Sequence, residues 1–207
     1  MLENLEVLCH SSIRITGSKT IYIDPFRIKK DYKDADYIFC THSHYDHFSK
    51  EDIEKLLKAN TIIITVQDAR EDAIVLVEED KVLVVEPDKD YNINGLNFKT
   101  TYSYNINKNF HPKENEWVGY IIDLDNVKYY IAGDTDNIPE IQDVHCDVAL
   151  LPVGGTYTMT VEESAQLANS IDAKFVVPTH YGEIVGEKAD GEKFAKLVKN
   201  KEVIVKI

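Results

Sequence analysis

The chain has 207 residues, of which 43% are hydrophobic, and a formal net charge of −13 at pH 7. This length predicts a single domain over residues 1–207, because domains commonly contain roughly 100–200 residues. The negative charge disfavours nucleic acid binding, since phosphates repel an acidic surface, but a small anionic substrate near bound cations remains compatible with it. No apolar run reaches the roughly 18 residues of a membrane-spanning helix and residues 1–6 do not resemble a signal peptide, so we expect a cytoplasmic protein without membrane insertion.

The first part of the chain predicts short strands with few helices. The strands are expected at Leu5–Cys9, Ile13–Thr16, Thr20–Ile23, Asp36–Cys40 and Thr61–Val66. An amphipathic helix is predicted over residues 50–58, with Ser49 as its N-cap and Asp52 as the reciprocal partner in a capping box. A short helix is predicted to begin at residues 68–73.

The remainder of the chain predicts further strands and two helices. The strands are expected at Lys81–Val85, Tyr91–Ile93, Leu96–Tyr102, Trp117–Leu124, Val127–Ile131, Val148–Leu151, Lys174–Val177 and Val203–Val205. Thr160 and Glu163 predict a capping box that opens a helix through Ser170, and a last helix is predicted over residues 192–200. Residues 105–116 are polar and predict a long loop, and loops of this length in a compact domain are usually functional.

A dense group of histidines lies between the strand at residues 36–40 and the helix that follows. Three of the seven histidines of the chain, with one aspartate, occur within six residues, as His42, His44, Asp46 and His47. If the extended backbone continues to residue 44, His42 and His44 point to the same side, because side chains alternate along a strand. Imidazole and carboxylate groups are common metal ligands, so this pattern predicts a metal site rather than a chance run of surface histidines.

Three more candidate ligands come from later segments. Asp134 and His180 follow predicted strands, and His111 lies in the long loop. The alternatives without a metal role are a turn residue for Asp134, a core histidine for His180 and an exposed loop histidine for His111. One zinc ion uses three or four protein ligands, so seven donors are enough for two divalent ions, with Asp134 suited to bridge them. Zinc is our first expectation, and manganese, iron and nickel also suit imidazole and carboxylate ligands.

Such a site predicts hydrolysis. Two ions roughly 3.5–4 Å apart lower the pKa of a shared water toward about 7 and polarise a carbonyl or phosphoryl oxygen. We expect a metal-bridging hydroxide to attack a small ester, lactone or phosphoester, with Asp46 and Asp134 as the catalytic carboxylates. The alternatives are a phosphodiesterase, for which Arg14, Lys108 and Lys113 are candidate cations, and a metal-binding sensor or redox module without catalysis. Candidates for the leaving-group acid are His10, Tyr45, Tyr104, Lys113 and Tyr157.

Several motifs resemble those of one known family. The run His42-Ser43-His44-Tyr45-Asp46-His47 resembles the His-x-His-x-Asp-His signature of the metallo-β-lactamase superfamily, and Ile23-Asp24-Pro25, Gly133-Asp134-Thr135 and Pro178-Thr179-His180-Tyr181 are similar to its other motifs in order. With Cys9-His10-Ser11-Ser12, they are most similar to the branch of metal-dependent hydrolases related to ascorbate-6-phosphate lactonase and to the phospholipase D that cleaves N-acylphosphatidylethanolamine. The resemblance implies an α/β fold, a four-layer αβ/βα sandwich with the metals at one edge.

The resemblance also implies a role for each candidate. One ion is bound by His42, His44 and a third histidine, for which we choose His111; the other is bound by Asp46, His47 and His180; Asp134 lies between them. Asp24 either holds a ligand imidazole by its other ring nitrogen or only ends a strand. His10 is expected to be a structural residue or a substrate contact rather than a ligand, and Tyr157 a substrate contact. Histidine at the second signature position, where oxygen-reducing diiron relatives carry glutamate, favours hydrolysis.

Overall fold

The computed structural model describes residues 2–207. The chain divides into two compact units, one ending at Glu86 and one comprising Pro87–Ile207, and each unit contains one mixed β-sheet. The single domain expected over residues 1–207 stays a prediction. Within the described residues, no helix is long and apolar enough to cross a membrane.

The first unit is built on a six-stranded sheet with its strands in chain order. The strands are β1 (Leu5–Cys9), β2 (Ser12–Thr16), β3 (Thr20–Ile23), β4 (Ala35–Phe39), β5 (Leu57–Thr65) and β6 (Val82–Val84), and the helices are α1 (Lys50–Glu54) and α2 (Arg70–Leu76). Strands β1 to β3 are antiparallel, and β3 to β6 are parallel. The parallel strands contain consecutive buried apolar residues, such as Ile38 and Phe39 in β4, as expected for strands covered on both faces.

The helix predicted over residues 50–58 is shorter than expected. It ends at Glu54, and the next two carbonyl oxygens, of Lys55 and Leu56, accept backbone N–H groups from residues 32, 33 and 35. These contacts take the chain directly into β5, so the tertiary structure overrides the helical pattern.

The cap of the same helix is confirmed only in part. The Ser49 hydroxyl accepts the backbone N–H of Asp52, as predicted. The predicted reciprocal bond is wrong, because the Asp52 carboxylate instead accepts the backbone N–H groups of Arg27 and Ile28, at 2.7 and 2.9 Å. Asp52 therefore anchors the loop after β3 to the start of α1.

The second unit contains a seven-stranded sheet, whose strands are also neighbours in chain order. Its strands are β7 (Asp90–Ile93), β8 (Leu96–Tyr102), β9 (Val118–Leu124), β10 (Val127–Ile131), β11 (Val148–Pro152), β12 (Phe175–Thr179) and β13 (Glu202–Val203), and its helices are α3 (Val161–Ser170) and α4 (Asp190–Leu197). Strands β7 to β10 are antiparallel, and β10 to β13 are parallel. Side chains from β10 to β12, α3 and α4 form one apolar core.

The two helices of this unit differ in how well they were predicted. The capping box of Thr160 and Glu163 at the start of α3 is confirmed. Helix α4 begins two residues earlier than the predicted 192–200 and ends at Leu197. The end is set by Asn169 of α3, which donates to the Leu197 carbonyl and accepts the N–H of Lys199.

The parallel strands explain why polar residues collect at one edge of each sheet. Parallel strands end at the same edge, where α/β proteins commonly bind ligands. In the first unit, Asp24 follows β3 and Thr41 follows β4 within two residues. In the second unit, Asp134 follows β10 and His180 follows β12.

Candidate metal centre

The histidine cluster of the first unit lies in a turn. Strand β4 ends at Phe39, so the condition of a strand that continues to residue 44 is not met. The imidazoles nevertheless converge, with Nε2 of His42 3.0 Å from Nδ1 of His44. The rings of His42 and His47 have centroids 4.0 Å apart. His42 and His47 are buried and His44 is half-buried, so the turn gathers three imidazoles near the surface of the unit.

Asp46 faces two imidazoles of the same unit. Its Oδ2 atom lies 3.6 Å from Nε2 of His10 and 3.7 Å from Nε2 of His47. His10 is fully buried in the turn between β1 and β2. The structure therefore brings His10, predicted as a structural residue or substrate contact, to the carboxylate of a predicted ligand.

The buried carboxylate of Asp24 forms hydrogen bonds with the histidine turn. Asp24 accepts the backbone N–H and the hydroxyl of Thr41, both at 2.8 Å, and its Oδ2 lies 2.7 Å from Nδ1 of His47. Burial raises the pKa of Asp24, and the opposing effects of His47 and Thr41 do not fully cancel this rise. When ionised, a carboxylate can only accept, so Nδ1 of His47 carries the hydrogen and Nε2 keeps its lone pair. Of the two alternatives for Asp24, the structure thus favours the one that holds an imidazole.

The second unit gathers two histidines around one carboxylate. Oδ2 of Asp134 lies 3.0 Å from Nε2 of His180 and 3.3 Å from Nε2 of His111. All three side chains are buried, with at most 4% of any one exposed. His111, which has no family motif around it, therefore lies beside the predicted bridging carboxylate.

Three residues of these clusters have a left-handed backbone. The φ angles are 55° for His10, 46° for Asp24 and 58° for His180. This conformation costs non-glycine residues free energy and is concentrated at functional sites. The surrounding structure must hold these residues in place, as Thr41 does for Asp24.

Gly154 allows two segments of the second unit to approach each other closely. A Cβ atom at this position would lie far inside contact distance of the His180 carbonyl oxygen and 2.7 Å from Cγ2 of Val185. The missing side chain allows the loop after β11 to pack against His180. Tyr157, in the same loop, is half-buried, and its ring lies edge-on to Phe110 at 4.7 Å.

One supporting residue had no signal in the sequence. The side-chain oxygen of Asn105 accepts the backbone N–H of His111 at 3.1 Å and lies 3.0 Å from its Nδ1. Asn105 lies in none of the motifs quoted for this chain, and only the closure of the loop on itself brings it to His111.

The donors fit divalent metal ions on their own chemistry. They are imidazoles and carboxylates, all buried except the half-buried His44, and these ligand types suit zinc, manganese, iron and nickel. Nε2 of His47, with its lone pair, faces Oδ2 of Asp46 at 3.7 Å, and two acceptors that face each other favour a shared cation. The residues present are therefore compatible with bound metal in both units.

Comparisons with known proteins point to one family. The family model described as Beta-lactamase superfamily domain matches residues 4–180. A UPF0173 metal-dependent hydrolase of Thermococcus onnurineus is 32% identical, over 96% of this chain and 93% of that protein, and one of Pyrococcus horikoshii is 31% identical, over 97% and 94%. A solved structure from Parabacteroides distasonis is 28% identical with a TM-score of 0.81, covering 97% and 91% of the two chains. Igni18, a metallo hydrolase of Ignicoccus hospitalis, is similar in fold, with 23% identity, a TM-score of 0.80 and coverage of 97% and 93%.

Proposed function

The chain belongs to the beta-lactamase superfamily and is a metal-dependent hydrolase, and on this premise we propose that it acts with two divalent ions on a small ester, lactone or phosphoester. The family and the α/β metallo-β-lactamase fold class expected from the sequence are confirmed. The number and identity of the ions, the bond hydrolysed and the cytoplasmic location are proposals. The observation that carries the dinuclear proposal is the position of Asp134 between two imidazole nitrogens.

The proposed ligands are the seven residues of the sequence prediction. One ion takes His42, His44 and His111, the other takes Asp46, His47 and His180, and Asp134 bridges. The contacts inside each unit support this assignment, because each carboxylate of the set faces imidazole nitrogens at 3.0–3.7 Å. Zinc is the proposed metal.

When bound, such a pair of ions would activate a shared water and polarise the carbonyl or phosphoryl oxygen of the substrate. The chain's own residues hold the donors in the required state. Asp24 accepts the hydrogen on Nδ1 of His47 and so leaves the lone pair on Nε2, which faces Asp46 at 3.7 Å. Tyr157 and Phe110 place aromatic edges beside the loop that carries His111, where an apolar part of the substrate can pack.

The phosphodiesterase alternative is less well supported. It needs cations that are available to a phosphate, and the three candidates are already in ion pairs. Arg14 binds Glu6 and Asp34, Lys108 binds Asp136, and Lys113 binds Glu140. A sensor or redox module would be marked by a missing ligand, and none of the seven expected ligand positions is occupied by a non-ligating residue.

Elemental analysis of protein purified with zinc available tests the proposal, followed by hydrolysis of a panel of carboxyl esters, lactones and phosphodiesters. We expect about two ions per chain, and hydrolysis that chelation abolishes and zinc restores. The Asp134→Asn variant should lose both ions in large part. A wild-type content below one ion per chain would contradict the dinuclear proposal.

A further inference from the structure

The loop that carries His111 is closed by one asparagine. Asn105 lies three residues after the end of β8 and is buried, with 7% of the residue exposed. Its backbone N–H donates to the His111 carbonyl at 2.8 Å, and its side-chain Oδ1 accepts the His111 N–H at 3.1 Å. These two bonds join the ends of the segment between the two residues.

Two backbone groups determine which way the Asn105 amide points. The His111 N–H can only donate, so the atom that faces it is the amide oxygen. The Tyr157 carbonyl can only accept, and it lies 3.0 Å from the other amide atom, which must be the NH₂ group. The amide orientation therefore follows from the backbone and does not depend on the protonation of any side chain.

This orientation has a consequence for the His111 ring. Its Nδ1 lies 3.0 Å from the amide oxygen of Asn105, which has no hydrogen to donate. Nδ1 must therefore carry the ring hydrogen. In the neutral imidazole the lone pair is then on Nε2, the nitrogen that lies 3.3 Å from Oδ2 of Asp134.

A second buried side chain keeps Asn105 in this position. Asp136 accepts the Asn105 NH₂ group at 3.2 Å and the backbone N–H of Ile106 at 2.8 Å, and it pairs with Lys108. Its own N–H donates to the Tyr104 carbonyl. The amide is thus held by donors and acceptors on both sides, which restricts its rotation.

We infer that Asn105, oriented by Asp136, is a positioning residue that selects Nε2 of His111 as the metal-binding nitrogen. The inference rests on the proposed metal role of His111. Partners that fix the tautomer of a ligand histidine typically change metal affinity by about 10–100-fold when they are removed. Asn105 and Asp136 lie outside the family motifs quoted for this chain, and their role follows from hydrogen-bond directions alone.

The first test needs neither metal nor a variant of Asn105. Long-range ¹H–¹⁵N spectra of the chelator-treated wild-type protein at pH 8 report the tautomer of each imidazole, and the His111→Gln spectrum identifies the His111 signals. We expect the hydrogen on Nδ1. A hydrogen on Nε2, or a mixture of both tautomers, would overturn the inference whatever the metal content of the protein.

The second test compares variants by zinc titration against a fluorescent chelator. Asn105→Ala should weaken the binding of one ion by about 10–100-fold. Asn109→Ala, a matched change at an exposed residue of the same loop, should leave both affinities unchanged.

The ring hydrogen of the metal-free Asn105→Ala variant separates positioning from loop folding. This variant removes the acceptor that faces Nδ1 of His111, so we expect the hydrogen on Nε2 or shared between the two ring nitrogens. Weaker zinc binding with the hydrogen still fixed on Nδ1 would assign Asn105 to loop folding and overturn the inference. A wild-type protein that binds less than one ion but shows the Nδ1 tautomer would refute the dinuclear proposal and leave the hydrogen-bond assignment standing.

Discussion

Nδ1 of His47 lies 2.7 Å from Oδ2 of Asp24, and the same carboxylate accepts both donors of Thr41. Asp24 therefore connects the end of β3 to the start of the histidine turn. It holds one imidazole in a defined tautomer and fixes the backbone from which the other imidazoles extend. Through these hydrogen bonds it supports several of the proposed ligands.

Asp24→Asn should weaken metal binding by about 10–100-fold, because the amide replaces one acceptor oxygen with a donor that faces Nδ1 of His47. Chelator competition measures the affinity, and circular dichroism of the metal-free protein checks the fold. Asp31→Asn, at an exposed position of the same unit, is the control. Equal affinities of the two variants would show that Asp24 only ends a strand.

His111→Ala should lose about one ion per chain and most activity while the fold is retained, because His111 is one of three proposed ligands of one ion. Elemental analysis and activity measure the loss, and the unfolding midpoint of the metal-free protein reports the fold. The exposed His145 provides a matched control as His145→Ala. Unchanged metal content in His111→Ala would assign the third ligand to another residue.

Gly154→Ala should destabilise the second unit by about 1–3 kcal/mol, as overpacking does, because the new methyl group meets the His180 carbonyl and Val185. Denaturant unfolding of the metal-free protein measures the loss of stability. Zinc affinity should fall as well, because the added methyl group displaces His180. Gly155→Ala is the control. It has φ +81° but no atom within 4 Å of the added Cβ, so it should cost about 1–2 kcal/mol of backbone strain and leave zinc affinity unchanged. A larger loss of affinity in Gly155→Ala than in Gly154→Ala would contradict this account.

Asp52→Asn should lower stability at neutral pH. Burial by itself raises the pKa of Asp52, but hydrogen bonds from Lys55, Ser49 and the N–H groups of residues 27 and 28 outweigh it, and the net pKa is lowered. A lowered folded-state pKa stabilises the protein above the unfolded-state pKa of about 4, and this contribution is lost as pH falls through the folded-state value.

The free energy of unfolding of the wild-type protein should therefore exceed that of Asp52→Asn by about 1–3 kcal/mol at pH 7. The difference should shrink on acidification below about pH 4. Urea unfolding of the metal-free proteins at pH 7 and pH 3 measures it, with no contribution from metal release. A difference that stays constant or grows at pH 3 would show that Asp52 acts without its charge.

The family and the strand ends could be predicted because they depend on local patterns. Buried apolar runs mark β4, β10 and β12. Within three residues of the end of each run stands a residue whose side chain can bind metal, namely His42, Asp134 and His180. The capping box of α3 is equally local. These features are determined by residues that are close together in the sequence.

The features that could not be predicted depend on distant backbone groups. Helix α1 ends just before Lys55 and Leu56, whose carbonyl oxygens accept N–H groups from residues 32, 33 and 35, and α4 ends where Asn169 donates to the Leu197 carbonyl. Asn105 is an unremarkable polar residue until the loop brings it to His111. No periodicity or motif encodes such contacts, because the partners are set only when the chain has folded.

The left-handed backbone at His10 and Asp24 in the first unit, and at His180 in the second, also limits how these side-chain clusters can be transplanted. In that conformation the side chain leaves the main chain in a direction that neither a strand nor a helix offers. A designed scaffold with the same side chains on ordinary turns would aim them elsewhere. The path of the main chain at these three positions is therefore as much a part of each cluster as the identity of its side chains, and an engineer would have to copy both.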